Sequence, residues 1–265
     1  MHREEGSVTI GGSSLEFAWY RPPKSNRPVI LLLHEGLGCV GTWRDFPEHL
    51  AMRTGSPVLA YSRQGYGRSD PVPLPRPLTY MHDEAFEVVG RIIDRFQIER
   101  VVLCGHSDGA SIATIYAGGV ADGRVAGVIL MAPHFFNEDL CVATIRKARH
   151  DYEQGDLRPR LERYHGANVD CAFYGWNDAW LDPRFMDWNI EEYLPQIAVP
   201  VLLIWGRDDP YGTMAQVRSA MEKCGGPLET AILDDCRHWP YRERTDETLS
   251  AIERFIDGTR QERFR

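Results

Sequence analysis

A serine stands between two glycines in GHSDG, residues 105–109, where the apolar run VVLC gives way to small residues at helical spacing. A hydroxyl is a poor nucleophile until a base takes its proton, and an imidazole serves best when a carboxylate fixes its tautomer. Ser107 therefore needs two partners, and both types follow in the chain. Asp208 and Asp209 come just after the apolar run VLLIWG, and His238 lies in DCRHWPYRE, after LETAILD. Both stretches follow the ends of predicted strands, where the functional groups of open α/β sheets gather. Gly105 and Gly109 have a reason of their own. A chain that turns sharply from strand to helix brings its backbone so close to its neighbours that a Cβ at either position would clash. The turn that needs the glycines is also the turn that exposes the hydroxyl.

The elements that must carry these residues are legible as an alternation. Strand-like runs occur at SVTI, LEFAWY, PVILLLH, SPVLAYS, RVVLCG, VAGVILMA, VPVLLIWG and LETAILD, and helical patterns cover residues 43–53, 82–96, 108–118, 213–224 and 245–256. Two leading strands followed by strand–helix units predict an α/β fold, with a mostly parallel eight-stranded sheet flanked by helices. Residues 134–198 break the rhythm with NEDLCVATIRKARHDYE, LRPRLERYHG, NVDCAFYGWNDAWLD and IEEYLPQI. A structureless loop of that length is improbable in a compact domain. These residues are expected to be a helical lid inserted into a core made of 1–133 and 199–265. Most of the lid aromatics are expected to glue it to the core and a few to face a pocket, with Trp176 a candidate.

Composition narrows the function classes. With 265 residues, 43% of them hydrophobic and 26% charged, the chain suits one domain with one sizeable core. A net charge of −8, with no run of basic residues, argues against nucleic acid as a partner. The opening MHREEGSVTIGG is polar, and no apolar stretch approaches the ~20 residues of a membrane span, so the expectation is a cytoplasmic protein that engages no membrane. The six cysteines show neither a CxxC pair nor metal-ligand spacing and are expected to be free thiols, most of them in the core. No metal and no organic cofactor is called for.

Taken in order, HEGLG (34–38), YSRQGYGRSD (61–70), GHSDG, GRDDP and CRHWP resemble the α/β-hydrolase superfamily over nearly the whole chain. The resemblance implies a serine hydrolase with a catalytic triad of Ser107, Asp209 and His238. Asp209 is preferred to Asp208 because relatives ending this strand with G-x-x-D use the aspartate three after the glycine. It also implies an oxyanion hole from the backbone N–H groups of Gly36 and Asp108. The chain departs from its relatives in reading His34-Glu35 where most read His-Gly. An unpaired carboxylate there would oppose the charge developing on the substrate, so a Glu35–Arg63 ion pair is expected. The competing role for Glu35 is an auxiliary base. Glu35, His134, Trp176 and Trp239 are the candidate substrate contacts. The implied reaction is cleavage of a small to medium carboxylic ester, thioester or lactone, the small-molecule acyl substrate being the one partner expected. The alternatives are a C–C bond hydrolase of aromatic-ring breakdown and a receptor-like binding protein with little turnover.

Overall fold

The computed structural model describes residues 1–261. Eight strands, β1 (His2–Ile10), β2 (Ser13–Arg21), β3 (Val29–Leu33), β4 (Val58–Tyr61), β5 (Val101–His106), β6 (Val125–Met131), β7 (Val201–Gly206) and β8 (Leu228–Leu233), form one sheet in the order β1-β2-β4-β3-β5-β6-β7-β8. β1 and β2 are antiparallel, joined by Gly11 and Gly12, both at positive φ as a two-residue hairpin requires. β2 meets β4 antiparallel, and every later pairing is parallel. Parallel strands need long crossovers, and the chain supplies helices for them.

These are α1 (Phe46–Thr54), α2 (Tyr80–Asp83), α3 (Gly90–Arg95), α4 (Asp108–Gly119), α5 (Asp139–Gln154), α6 (Leu157–His165), α7 (Val169–Leu181), α8 (Met214–Lys223), α9 (Pro240–Glu243) and α10 (Thr245–Gln261). Every residue of β4, β5 and β7 is buried. Because side chains alternate along a strand, the sheet has a core on each face. Leu31, Leu33, Leu59 and Leu103 pack with Ile92 and Ile112 on one side, and Ile30, Leu32, Val58 and Val102 pack with Leu50, Ile252 and Phe255 on the other.

Four boundaries differ from expectation for local reasons. β1 begins at His2 rather than Ser7, because nine residues of β2 are available to pair with it, from His2↔Arg21 to Ile10↔Ser13. α1 starts later than residue 43, since Arg44 sits at φ 54° and separates it from a 3-10 turn at Val40–Trp43. Between α2 and α3 the chain widens into a π-helical turn, Glu84–Val89, whose buried Glu84 accepts from Tyr61 Oη at 2.6 Å. The stretch IEEYLPQI is a 3-10 turn, Glu191–Gln196, and Pro195 within it cannot donate to an α-helical ladder.

The connection from β6 to β7 holds α5, α6 and α7, and its two stalks are tied together. Phe136 bridges Asn189, and Ile190 N–H donates to the Phe135 carbonyl at 2.7 Å. Gln216 of α8, fully buried, accepts from Phe135 N–H and donates to the Phe136 carbonyl. All six cysteines are free, four of them buried. No helix among the described residues is long and apolar enough to cross a membrane.

Candidate active site

Ser107 is the single residue between β5 and α4, held at φ 52°, ψ −119°. A non-glycine residue in that region carries strain of order 1–3 kcal/mol, and it persists because the surroundings over-determine it. Ser107 N–H donates to the Met131 carbonyl at 2.9 Å, and its own carbonyl accepts from Ala110 and Ser111 in the first turn of α4. The glycines do what was expected of them. A Cβ on Gly105 would lie 2.2 Å from the Gly109 oxygen, and one on Gly109 would lie 1.9 Å from the Leu33 oxygen.

His238 comes from the loop between β8 and α9, and Asp209 from the loop after β7. His238 Nδ1 stands 2.8 Å from Asp209 Oδ2, and Asp209 Oδ1 accepts from Tyr211 N–H at 2.8 Å. Burial alone would raise the Asp209 carboxyl, but His238, the Tyr211 N–H and the nearby His134 together hold it below the usual carboxylate range. An ionised Asp209 accepts the Nδ1 hydrogen and leaves Nε2 of His238 free to act as a base. Asp208, by contrast, is exposed, with its backbone N–H on the Cys236 carbonyl.

One cavity of about 50 Å³ brings the sequence candidates together. Ser107 and His238 border it, as do Gly36 and Asp108, and so do Glu35, His134, Trp176 and Trp239, with Asp209 behind His238. Trp176, on α7, lies over the Gly36 backbone so closely that a Cβ there would fall 2.2 Å from the indole. His134 has a foot in both roles considered for it. It lines the cavity, and its carbonyl accepts from Ser111 Oγ of α4 at 2.7 Å. Burial and the neighbouring His238 lower its imidazole to about 4, so it is neutral near pH 7. Asp108 turns its carboxylate away from solvent, accepting from Tyr80 Oη at 2.5 Å with Arg63 at 3.9 Å.

The expected Glu35–Arg63 ion pair is not what forms. Arg63 donates to the backbone carbonyl of Glu35 at 2.9 Å, and its nearest carboxylate is Asp108. The Glu35 side chain points elsewhere, with Oε2 3.4 Å from His106 Nδ1. Burial opposes ionisation of Glu35, yet His106 and the positive charge of Arg242 hold it well below the usual range. His106 Nε2 lies 2.6 Å from the His238 carbonyl, which can only accept, so that nitrogen carries a hydrogen. The Glu35 carboxylate thus faces His106, whose other ring nitrogen is bonded to the backbone of the histidine loop. The side chain that the Glu35 carboxylate faces is the residue before Ser107, whose imidazole burial pushes below its usual range and so away from the charged form, and the cation that acts on Glu35 is Arg242.

Five cavity residues, Leu37, Cys141, Ile145, Trp180 and Tyr211, escaped the sequence reading, two of them aromatic. Tyr211 packs its ring 4.5 Å from His238, and Trp180 donates to Tyr80 Oη at 3.0 Å while lining the wall. The place of Tyr211, two residues after the paired aspartate, is a usable signal; nothing local separates Trp180 from the other aromatics of its segment.

A model described as the alpha/beta hydrolase family matches residues 30–251. Epoxide hydrolase 3 of Xenopus tropicalis is 22% identical over 294 residues, covering 96% of this chain and 78% of its own. Among solved structures, a bacterial membrane phospholipase A superposes with a TM-score of 0.78 at 21% identity, over 97% of this chain and 87% of that one. The enol-lactonase from Burkholderia xenovorans LB400 superposes with a TM-score of 0.72 at 21% identity, over 95% of this chain and all of that one. At these identities the structural likenesses speak for the fold alone, which is the eight-stranded sheet described above. With the family model spanning most of its length, the chain belongs to the alpha/beta hydrolase family, whose members are hydrolases.

Proposed function

We propose that the protein is a cytoplasmic serine hydrolase that cleaves a small to medium carboxylic ester, thioester or lactone through an acyl-enzyme on Ser107. One observation carries the reading. A serine on a strained turn shares a cavity with a buried imidazole whose far nitrogen is engaged by an ionised carboxylate. His238 Nε2 takes the Ser107 proton as Oγ attacks the substrate carbonyl, and Asp209 orients the imidazolium that results. The N–H groups of Gly36 and Asp108 hold the oxyanion. His238 returns the proton to the departing alcohol, thiol or tethered hydroxyl, and a water, deprotonated by the same imidazole, releases the acid. Residues 134–198 serve as the lid, with Trp176 over the oxyanion loop, and Glu35, His134 and Trp239 complete the walls against which the substrate lies. A serine at position 107 turns the reading away from the epoxide opening for which the Xenopus relative is named, since in relatives of that activity an aspartate is the nucleophile.

Phenylmethylsulfonyl fluoride or an alkyl phosphonate should add one equivalent to the intact mass of the wild type and none to Ser107→Ala. p-Nitrophenyl acetate or butyrate should be turned over by the wild type alone. An unlabelled, folded wild type sinks the assignment. Turnover of a vinylogous diketone from aromatic-ring cleavage, with no turnover of esters, thioesters or lactones, replaces it by C–C bond hydrolysis. Tight ligand retention without turnover of any of these replaces it by a binding role.

A further inference from the structure

Beside the cavity, donors from three residues converge on one backbone oxygen. The Glu35 carbonyl accepts from His34 Nδ1 at 2.7 Å, from Arg63 Nη2 at 2.9 Å and from Gly38 N–H at 3.0 Å. His34 is committed to this role. Its Nε2 accepts the Arg63 backbone N–H at 3.0 Å, so the ring hydrogen resides on Nδ1. Burial and the adjacent guanidinium push the His34 imidazole well below its usual range and keep it neutral. The one full charge among the three donors is therefore that of Arg63, which is 1% exposed and stacked 4.9 Å from the Tyr66 ring. Its nearest carboxylate oxygen, Asp108 Oδ2, is 3.9 Å away, beyond direct hydrogen-bonding reach.

The Glu35 oxygen is one end of a peptide unit whose other end is the Gly36 N–H. The two ends are conjugated, so density drawn toward the oxygen is drawn from the nitrogen. A donor on the carbonyl therefore strengthens the amide as a donor, and a buried charge does so more than a neutral group. We infer that Arg63 is a positioning residue which, through the Glu35 carbonyl, orients and polarises the Glu35–Gly36 peptide so that the Gly36 N–H stabilises the oxyanion. The inference rests on the reading of Gly36 as an oxyanion donor. It also explains why the loops after two adjacent parallel strands, β3 and β4, are bonded to each other at His34 and Arg63 rather than each to solvent. Because the benefit grows as charge develops on the substrate oxygen, it falls on kcat rather than on KM.

The test compares Arg63→Gln, which keeps a neutral donor, with Arg63→Lys, which keeps the charge. Both are assayed with p-nitrophenyl acetate and with butylboronic acid, which forms a tetrahedral anion on a serine hydroxyl. Arg63→Gln should lower kcat by roughly 10- to 100-fold, less than the ~10²–10³ for losing a whole oxyanion donor. KM should stay near that of the wild type, boronate affinity should fall by a similar factor to kcat, and Arg63→Lys should recover part of both. A folded Arg63→Gln with wild-type kcat and boronate affinity overturns the inference, as does a change in KM alone. Should Arg63→Gln not fold, ¹⁵N-glycine-labelled wild type carries the test. The Gly36 amide proton should lie downfield of that of Gly38 and move further on adding the boronate, and an ordinary, unmoved Gly36 resonance overturns the inference. Failure of the reagents to label wild-type Ser107 overturns the hydrolase reading and this inference with it. Normal labelling with an indifferent Arg63→Gln overturns the role of Arg63 alone.

Discussion

Two aspartates that are neighbours in sequence have opposite surroundings, and that contrast is testable. Asp209 is buried against His238 and Tyr211 N–H, whereas the Asp208 carboxylate stands in solvent. Asp209→Asn should cost about 10⁴-fold in turnover, since an amide can donate to Nδ1 and so favour the wrong imidazole tautomer. Asp208→Asn should stay within a few-fold of the wild type in the same assay. The stability that Asp209 contributes has a defined pH window. Its folded value lies below the ~3.9 of an unfolded aspartate, so the contribution is complete above about pH 4 and is lost as pH falls through the folded value. Urea unfolding should therefore show a gap between wild type and Asp209→Asn that narrows as pH falls below about 4. The turn at Ser107 was legible because its glycines answer a local steric demand that any sequence must meet. The partner of Glu35 was not. Adjacent loops predict that residues 35 and 63 come close, but which atom of Glu35 faces the guanidinium depends on the backbone turn closed by Gly38, and there the carbonyl wins.

At the level of elements, the segment between β6 and β7 is fastened at both ends. Its stalks are held by Gln216, and its far side is pinned where α6 meets α7. There His165 accepts from Gly67 N–H and donates to the Leu37 carbonyl, each at 3.0 Å, and Asn168 Nδ2 donates to the carbonyls of Gly67 and Ser69. These acceptors belong to the loops that carry Gly36 and Arg63. Asn168→Ala leaves buried carbonyls unpaired, at a cost of about 1–3 kcal/mol. Limited proteolysis should then cut first within 134–198, leaving the sheet intact, and cleavage that begins in the core would contradict the division into lid and core. The order of these helices could be read from apolar periodicity, because each packs one face inward. Their contacts could not, because His165 and Asn168 are polar residues whose partners lie about a hundred residues away along the chain.

At the scale of the whole molecule, the sheet runs from β1 to β8, and β1 shows its first six residues to solvent. A strand with one side unpaired offers free N–H and C=O groups to any other chain. Here that margin is defended by charge. Arg3 pairs with Glu5, and Glu4 with Arg21 of β2 at 2.5 Å. The charges at positions 3–5, which break the apolar alternation and hid half of β1 from the sequence reading, are what make it a poor template for a second sheet. The strand beneath is different, for β2 carries Leu15, Phe17, Ala18 and Tyr20, all buried. Deleting residues 1–10 would turn that aromatic strand into the new margin. The truncated protein should self-associate in light scattering at concentrations where the full chain does not. Ten residues at one margin of the sheet would then govern how concentrated the protein can become before it is lost to aggregation.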